Sequence, residues 1–162
     1  MGAGVLLVMF DELHDLYQDV ILDRGRTPRH GRRLAAFDAS AKGDNPMCGD
    51  RVEVFVRHAP DGTIGEVGFE ARGCAISIAS ADLMAETVAG RTPEDARSLF
   101  AAFRELARTG ACPACGPALA EALERLAPLG GVHEYPSRVK CATLAWHALT
   151  AALTGAQEAS SE

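Results

Sequence analysis

The chain has 162 residues, of which 48% are hydrophobic and 23% charged, and it carries a formal net charge of -6. That length accommodates one hydrophobic core of ordinary size, and the composition excludes wholesale disorder. The acidic balance excludes a general nucleic-acid binder, because phosphate contacts need clustered Lys and Arg, and no run reaches the roughly 20 apolar residues that span a bilayer.

At the N-terminal end, Val5 to Phe10 is apolar but short, lacks a basic flank and runs into Asp11 and Glu12, so it does not read as a secretory signal. Gly2 fails as a myristoylation site because Leu6 stands where Ser or Thr is needed. A cytoplasmic location is therefore expected, and there thiols stay reduced and cysteine patterns signal metal or catalysis. Five cysteines, an odd number, also fit a closed disulfide framework poorly. From Met9 onward Phe10, Leu13, Leu16, Tyr17, Val20 and Ile21 recur at helical spacing, and Gly25 and Pro28 end that helix. The pattern starts at Met9, so residues 1–8 are read as an extension before the natural start. Arg24, Arg26, Arg29, Arg32 and Arg33 form a local basic run, a solvated face or a docking patch for an acidic partner.

Residues 34–72 change period. A strand is expected around Leu34 to Ala41. In a second strand Val52, Val54 and Val56 alternate with Glu53, Phe55 and Arg57, which predicts cover on both faces. Asp61-Gly62 marks a hairpin turn into a third strand through Ile64, Val67 and Phe69. After Gly73 a helix runs through Ile76, Ile78, Leu83, Met84 and Val88 to Gly90. Thr92 caps the next helix with Pro93 at its first position, and that helix stops near Gly110. Leu119, Leu123 and Leu126 make a short amphipathic helix closed by Pro128 and Gly130-Gly131. The last helix starts near Pro136 and carries Val139, Leu144, Trp146, Leu149 and Leu153. The expected fold is α+β: a small three-stranded antiparallel sheet packed with about five or six helices. It forms one domain over residues 9–154, followed by a flexible acidic tail at 155–162.

Three cysteines and one aspartate stand in distinctive settings. Cys48 and Asp50 lie two apart in Asn45-Pro46-Met47-Cys48-Gly49-Asp50, a loop entering a strand, and in extended backbone such positions point the same way. Pro46 restricts Asn45 to extended or turn conformations. Cys74 sits at a strand-to-helix junction, where open amides and the helix dipole favour a thiolate. Cys141 falls in the first turns of the last helix. Three soft sulfurs and one hard oxygen suit tetrahedral zinc or iron–sulfur chemistry. The competing reading makes Cys74 and Cys141 small buried hydrophobes.

Asn-Pro-x-Cys-Gly-Asp at 45–50, Gly-Cys-Ala-Ile-Ser-x-Ala-Ser-Ala at 73–81 and Arg-Val-Lys-Cys-Ala-Thr-Leu-Ala-Trp at 138–146 resemble the IscU/NifU N-terminal family, and within it the SufU type. All three motifs occur in order, and the similarity spans most of the chain. Two features favour the SufU type over the iron–sulfur scaffold: the long stretch between the second and third cysteines, including Cys112 to Gly131, and Lys140 where scaffolds place a histidine. The resemblance implies a zinc-dependent sulfurtransferase with Cys48, Asp50, Cys74 and Cys141 as ligands. Cys48 would accept persulfide sulfur from a SufS-type cysteine desulfurase, freed when a histidine of that partner replaces it on the metal. The sulfur would then pass to a downstream iron–sulfur assembly scaffold. The alternatives are a scaffold assembling a [2Fe–2S] cluster, or holding iron, on the same residues, and a zinc-stabilised adaptor that only activates its desulfurase. Arg138 matches the third motif and is read either as orienting the site or partner, or as a surface salt bridge.

Some features depart from the family pattern. Asp23-Arg24-Gly25 stands where the family usually has Asp-His-Tyr. Cys112-Pro113-Ala114-Cys115 belongs to none of the motifs. It is read first as solvent-facing thiols in a variable loop, next as a reversible disulfide, and last as half of a second zinc site with His133. His14, His58 and His147 read as surface or packing residues, which leaves His133 as the histidine with a route to the site.

Overall fold

The structure, a computed structural model, describes residues 17–47, 49–113, 115–155 and 158–160. The expected start at Met9, His14, Cys48 (the expected sulfur acceptor) and Ala114 lie outside the described residues. A helix over residues 17–26 (α1) is followed by three antiparallel strands, β1 Ala39–Asn45, β2 Asp50–His58 and β3 Ile64–Arg72. Helices α2 Ala75–Val88 and α3 Pro93–Thr109 come next, then α4 Ala120–Leu126 between 3-10 segments at Pro117–Leu119 and Ala127–Glu134, and finally α5 Pro136–Thr154. The expected α+β class, the antiparallel sheet and the five helices are all present.

Two boundaries differ from the sequence reading. The first strand begins at Ala39 and not at Leu34, because residues 31–38 leave the sheet edge and lie across its outer face. Leu34 is buried there, the Arg32 carbonyl sits over Gly68, and Arg33 spans the Phe37 and Phe55 rings at 5.3 and 5.1 Å. This cover explains why Phe55, on the face away from the helices, is fully buried. Within the tail, Glu158–Ser160 forms a short strand, β4, parallel to Lys42–Asp44 of β1, so the sheet order is β3-β2-β1-β4.

Local chemistry sets the ends of the elements. The hairpin closes with Gly62 N–H on Ala59 O at 2.9 Å, Gly62 having φ +88°. Thr92 Oγ1 accepts the Asp95 N–H at 3.1 Å, and Pro93 opens α3 where a missing N–H costs nothing. Gly110 and Gly155 end α3 and α5 in the left-handed conformation. α4 ends at Leu126, before the expected stop at Pro128 and Gly130-Gly131, and the chain continues in a 3-10 segment to Glu134 with Leu129 and Val132 buried in the core.

The inward side chains of the sheet, Val52, Val54, Val56, Val67 and Phe69, meet α2 and α5, which pack against each other. α3 and the 3-10 segment before α5 cover α5, with Phe103 stacked on Trp146 at 4.9 Å, and α4 packs on α2. α2 and α5 bury most of their circumference, which accounts for their near-continuous small and apolar sequence. Arg24, where the family pattern breaks, ties α1 to α2. Its guanidinium bonds the buried Asp82 at 2.9 Å and Glu86 at 3.2 Å, and the other Asp82 oxygen accepts the His30 N–H at 2.8 Å. Arg29 and Arg32 pair with Asp23 and Glu66, so this part of the basic run is partnered within the chain.

Candidate metal centre

The site lies where three separate elements meet at one end of the sheet. Asp50 is the first residue of β2 and is 1% exposed; Cys74 caps the N-terminus of α2; Cys141 is 1% exposed in the second turn of α5. One donor atom from each lies within 4.8 Å of the other two. Among the described residues this is the only group of three or more Cys, His, Asp or Glu side chains meeting that distance.

Backbone detail aims each donor. Asn45, buried at the end of β1, accepts the Met47 N–H on Oδ1 at 3.2 Å and the Gly49 N–H on its carbonyl at 2.9 Å. Gly49 takes φ +73°, a conformation that favours glycine. This loop carries Cys48 in sequence and leads into Asp50. The Asp50 carboxylate is divided between two tasks. Oδ1 accepts the Cys74 N–H at 3.0 Å, while Oδ2 lies 3.6 Å from Cys74 Sγ. Ser77 N–H points at Cys74 Sγ at 3.4 Å, so an open amide of the helix end supports negative charge on that sulfur. Gly73 is part of this geometry, because a Cβ there would collide with the Asp50 carboxylate.

α2 and α5 are locked together one turn further in. Ser80 Oγ donates a short hydrogen bond to the Ala142 carbonyl and accepts from Trp146 Nε1 at 3.3 Å, all within the core. That bridge fixes the helix carrying Cys74 against the helix carrying Cys141. Sequence reasoning missed both Gly73 and Ser80. Each lies inside a motif quoted above, but their roles depend on contacts across elements.

Arg138, one turn before Cys141, is exposed. Its guanidinium is held above its ordinary range by a hydrogen bond with Cys141 and by the charges of Cys74 and Cys141. It therefore borders the two thiols. His133 does not reach the site: its Nδ1 lies 2.8 Å from the Gly130 carbonyl and its ring packs on Gly110. His147 packs edge-on against Phe100 at 4.9 Å; burial, then Arg104, holds it below the ordinary imidazole value.

The donor set fits zinc. Tetrahedral ligands at Zn–S of about 2.3 Å and Zn–O of about 2.0 Å stand roughly 3.5 Å apart, and the Asp50 Oδ2 to Cys74 Sγ separation is 3.6 Å.

Residues 16–160 match the NifU-like N-terminal domain family. The chain belongs to that family. It is 34% identical over 142 residues to the iron–sulfur cluster assembly scaffold protein IscU of Streptococcus pyogenes serotype M1, covering 88% of this chain and 85% of that protein. It is also 34% identical over 139 residues to the zinc-dependent sulfurtransferase SufU of Bacillus subtilis strain 168, covering 85% and 88%. Among solved structures it superposes with TM-score 0.74 and 28% identity on a putative iron–sulfur cluster assembly scaffold protein for the SUF system from Fervidobacterium islandicum AW-1, over 86% of this chain and 98% of that one. In this NifU-like chain Met47, in the loop that leads into Asp50, is 80% exposed. No helix among the described residues is long and apolar enough to cross a membrane.

Proposed function

We propose that this protein is a zinc-dependent sulfurtransferase of iron–sulfur cluster assembly. In this reading it accepts persulfide sulfur from a SufS-type cysteine desulfurase on Cys48 and relays it to a downstream scaffold. The observation that carries the reading is the convergence of Asp50, Cys74 and Cys141 within 4.8 Å of one another, with Cys48 two residues before Asp50 in sequence. These four residues would hold the metal. Zinc bound there would keep the thiols deprotonated at neutral pH without itself exchanging electrons.

The chain's own residues do the rest. Asp50, its Oδ1 anchored by the Cys74 amide, presents its other oxygen to the centre. Arg138 places a cation beside Cys141 and Cys74 at the solvent side, where the partner's persulfide arrives. Cys48, once free as a thiolate, attacks the terminal sulfur of that persulfide. A new S–S bond forms on Cys48 and the desulfurase cysteine leaves as a thiolate. The exposed Met47 side chain next to the acceptor supplies apolar contact for a docked partner.

The second reading, a scaffold for a [2Fe–2S] cluster on the same residues, is supported by the equal 34% identity to an IscU. Lys140 in place of histidine, and the long stretch between Cys74 and Cys141 that includes Cys112 to Gly131, support the first. Metal analysis of the purified protein, with cysteine turnover by a SufS-type desulfurase, tests the choice. The expected result is one zinc per chain and a stimulated desulfurase, with a sulfur adduct on Cys48 that Cys48→Ala abolishes. A coloured iron cluster without stimulation supports the scaffold instead. Stimulation with no adduct on Cys48 leaves only an activating adaptor.

A further inference from the structure

The Cys112-Pro113-Ala114-Cys115 stretch takes no part in the centre at Asp50, Cys74 and Cys141. The sequence reading placed solvent-facing thiols there first. In the structure Cys112 and Cys115 are joined by a disulfide, with Cα atoms 5.4 Å apart. Among the described residues no third ligand joins them at coordinating distance, so the half-zinc reading with His133 has no support. We propose that Cys112–Cys115 is a second sulfur site: a reversible disulfide that exchanges two electrons with dithiols, independently of the metal centre.

Three observations carry this. The bond closes a loop only four residues long, and chain-entropy stabilisation from a disulfide grows with loop length, so it is a weak staple. Both cysteines are half-exposed, and Ala111, Pro113, Gly116 and Pro117 around them are exposed, which gives an incoming thiolate a path to the sulfurs. The loop also keeps its shape by means other than the bond. Cys115 N–H donates to the Cys112 carbonyl at 3.1 Å, Gly110 N–H caps Leu106 O at 2.8 Å, and Thr109 Oγ1 donates to Ala111 O at 2.8 Å. Pro113 holds its own φ near the value that a turn needs at that position. After reduction the same turn holds the two thiols close, and proximity of this kind favours re-closure over capture by a second molecule.

The exchange balances as follows. A thiolate of the dithiol attacks one sulfur of the Cys112–Cys115 bond, forming a mixed disulfide and releasing the other sulfur as a thiolate. The second thiol of the reductant then closes on its own partner sulfur. Two electrons and two protons pass to the protein, and the dithiol leaves as a cyclic or protein disulfide.

The test uses the full-length, zinc-loaded protein in dithiothreitol or mixed glutathione buffers, with thiol alkylation, mass spectrometry and a zinc indicator. The expected result is that Cys112 and Cys115 gain and lose label together and reversibly while zinc stays bound. Reduction by dithiothreitol should run within about tenfold of the rate for the unfolded chain. Cys112→Ser should convert the two-residue transition into a single glutathione adduct on Cys115. Slower reduction overturns the proposal, as does a bond that never forms in excess oxidised glutathione. Label changes that come only with zinc release overturn its independence from the centre. None of these outcomes depends on whether Cys48 accepts sulfur.

Discussion

Replacing Gly73 by alanine tests the geometry of the centre without touching any of its donors. A Cβ at position 73 would lie 2.7 Å from Asp50 Cγ and closer still to Oδ1, against ordinary carbon–carbon contacts of about 3.5–4.0 Å. The carboxylate must retreat by roughly 1 Å, and the Asp50 Oδ1 hydrogen bond to the Cys74 amide, 3.0 Å long, cannot survive that move. A hydrogen bond to a charged group contributes about 1.5–3 kcal/mol. Loss of such an outer-shell contact weakens metal binding by about 10–100-fold, and the two figures agree because tenfold is about 1.4 kcal/mol. Zinc competition against a chromogenic chelator, with circular dichroism to confirm the fold, reads the effect directly. Zinc affinity within twofold of the wild type would refute the claim that Gly73 makes room for the Asp50 carboxylate.

Other contacts give further expectations. Ser80→Ala leaves Trp146 Nε1–H without its partner in the core, so it should cost about 1–3 kcal/mol; chemical denaturation checks this, and an unchanged midpoint would count against the α2–α5 lock. Arg24→Met removes the cation from the fully buried Asp82 side chain, which among the described residues keeps only the His30 amide. The expected loss is about 3 kcal/mol, partly restored by adding Asp82→Asn. His147 titrates lower in the folded chain than its ordinary 6.5, so the unfolded chain binds more protons between the two values and stability rises with pH there. The stability from a neutral His147 is complete above about pH 6.5 and is lost as pH falls below it. The stability difference between wild type and His147→Gln, followed by urea denaturation of metal-free protein, should therefore shrink from pH 7.5 to 5. A constant difference would sink that assignment.

Much of the fold and of the candidate centre was legible in the residues alone, and for local reasons. The two-residue alternation of β2, the Asp61-Gly62 turn, the Thr92-Pro93 start and the glycine stops need only near neighbours, so they are written in short stretches of chain. The donor types at 48, 50, 74 and 141 were readable too, because soft and hard donors announce the metal chemistry they suit. Tertiary structure alone decided what depends on residues far apart. It moved the first strand to Ala39, since residues 31–38 are better buried over Phe55 and Gly68 than paired at an edge. It gave Arg24 a buried partner 58 residues away, turned Gly73 into room for a carboxylate, and made Ser80 a bridge to Trp146. It also drew His133 to Gly110 and away from the centre. Periodicity reports which side of an element is buried but not what it is buried against, and a site built from three elements exists only once they are packed.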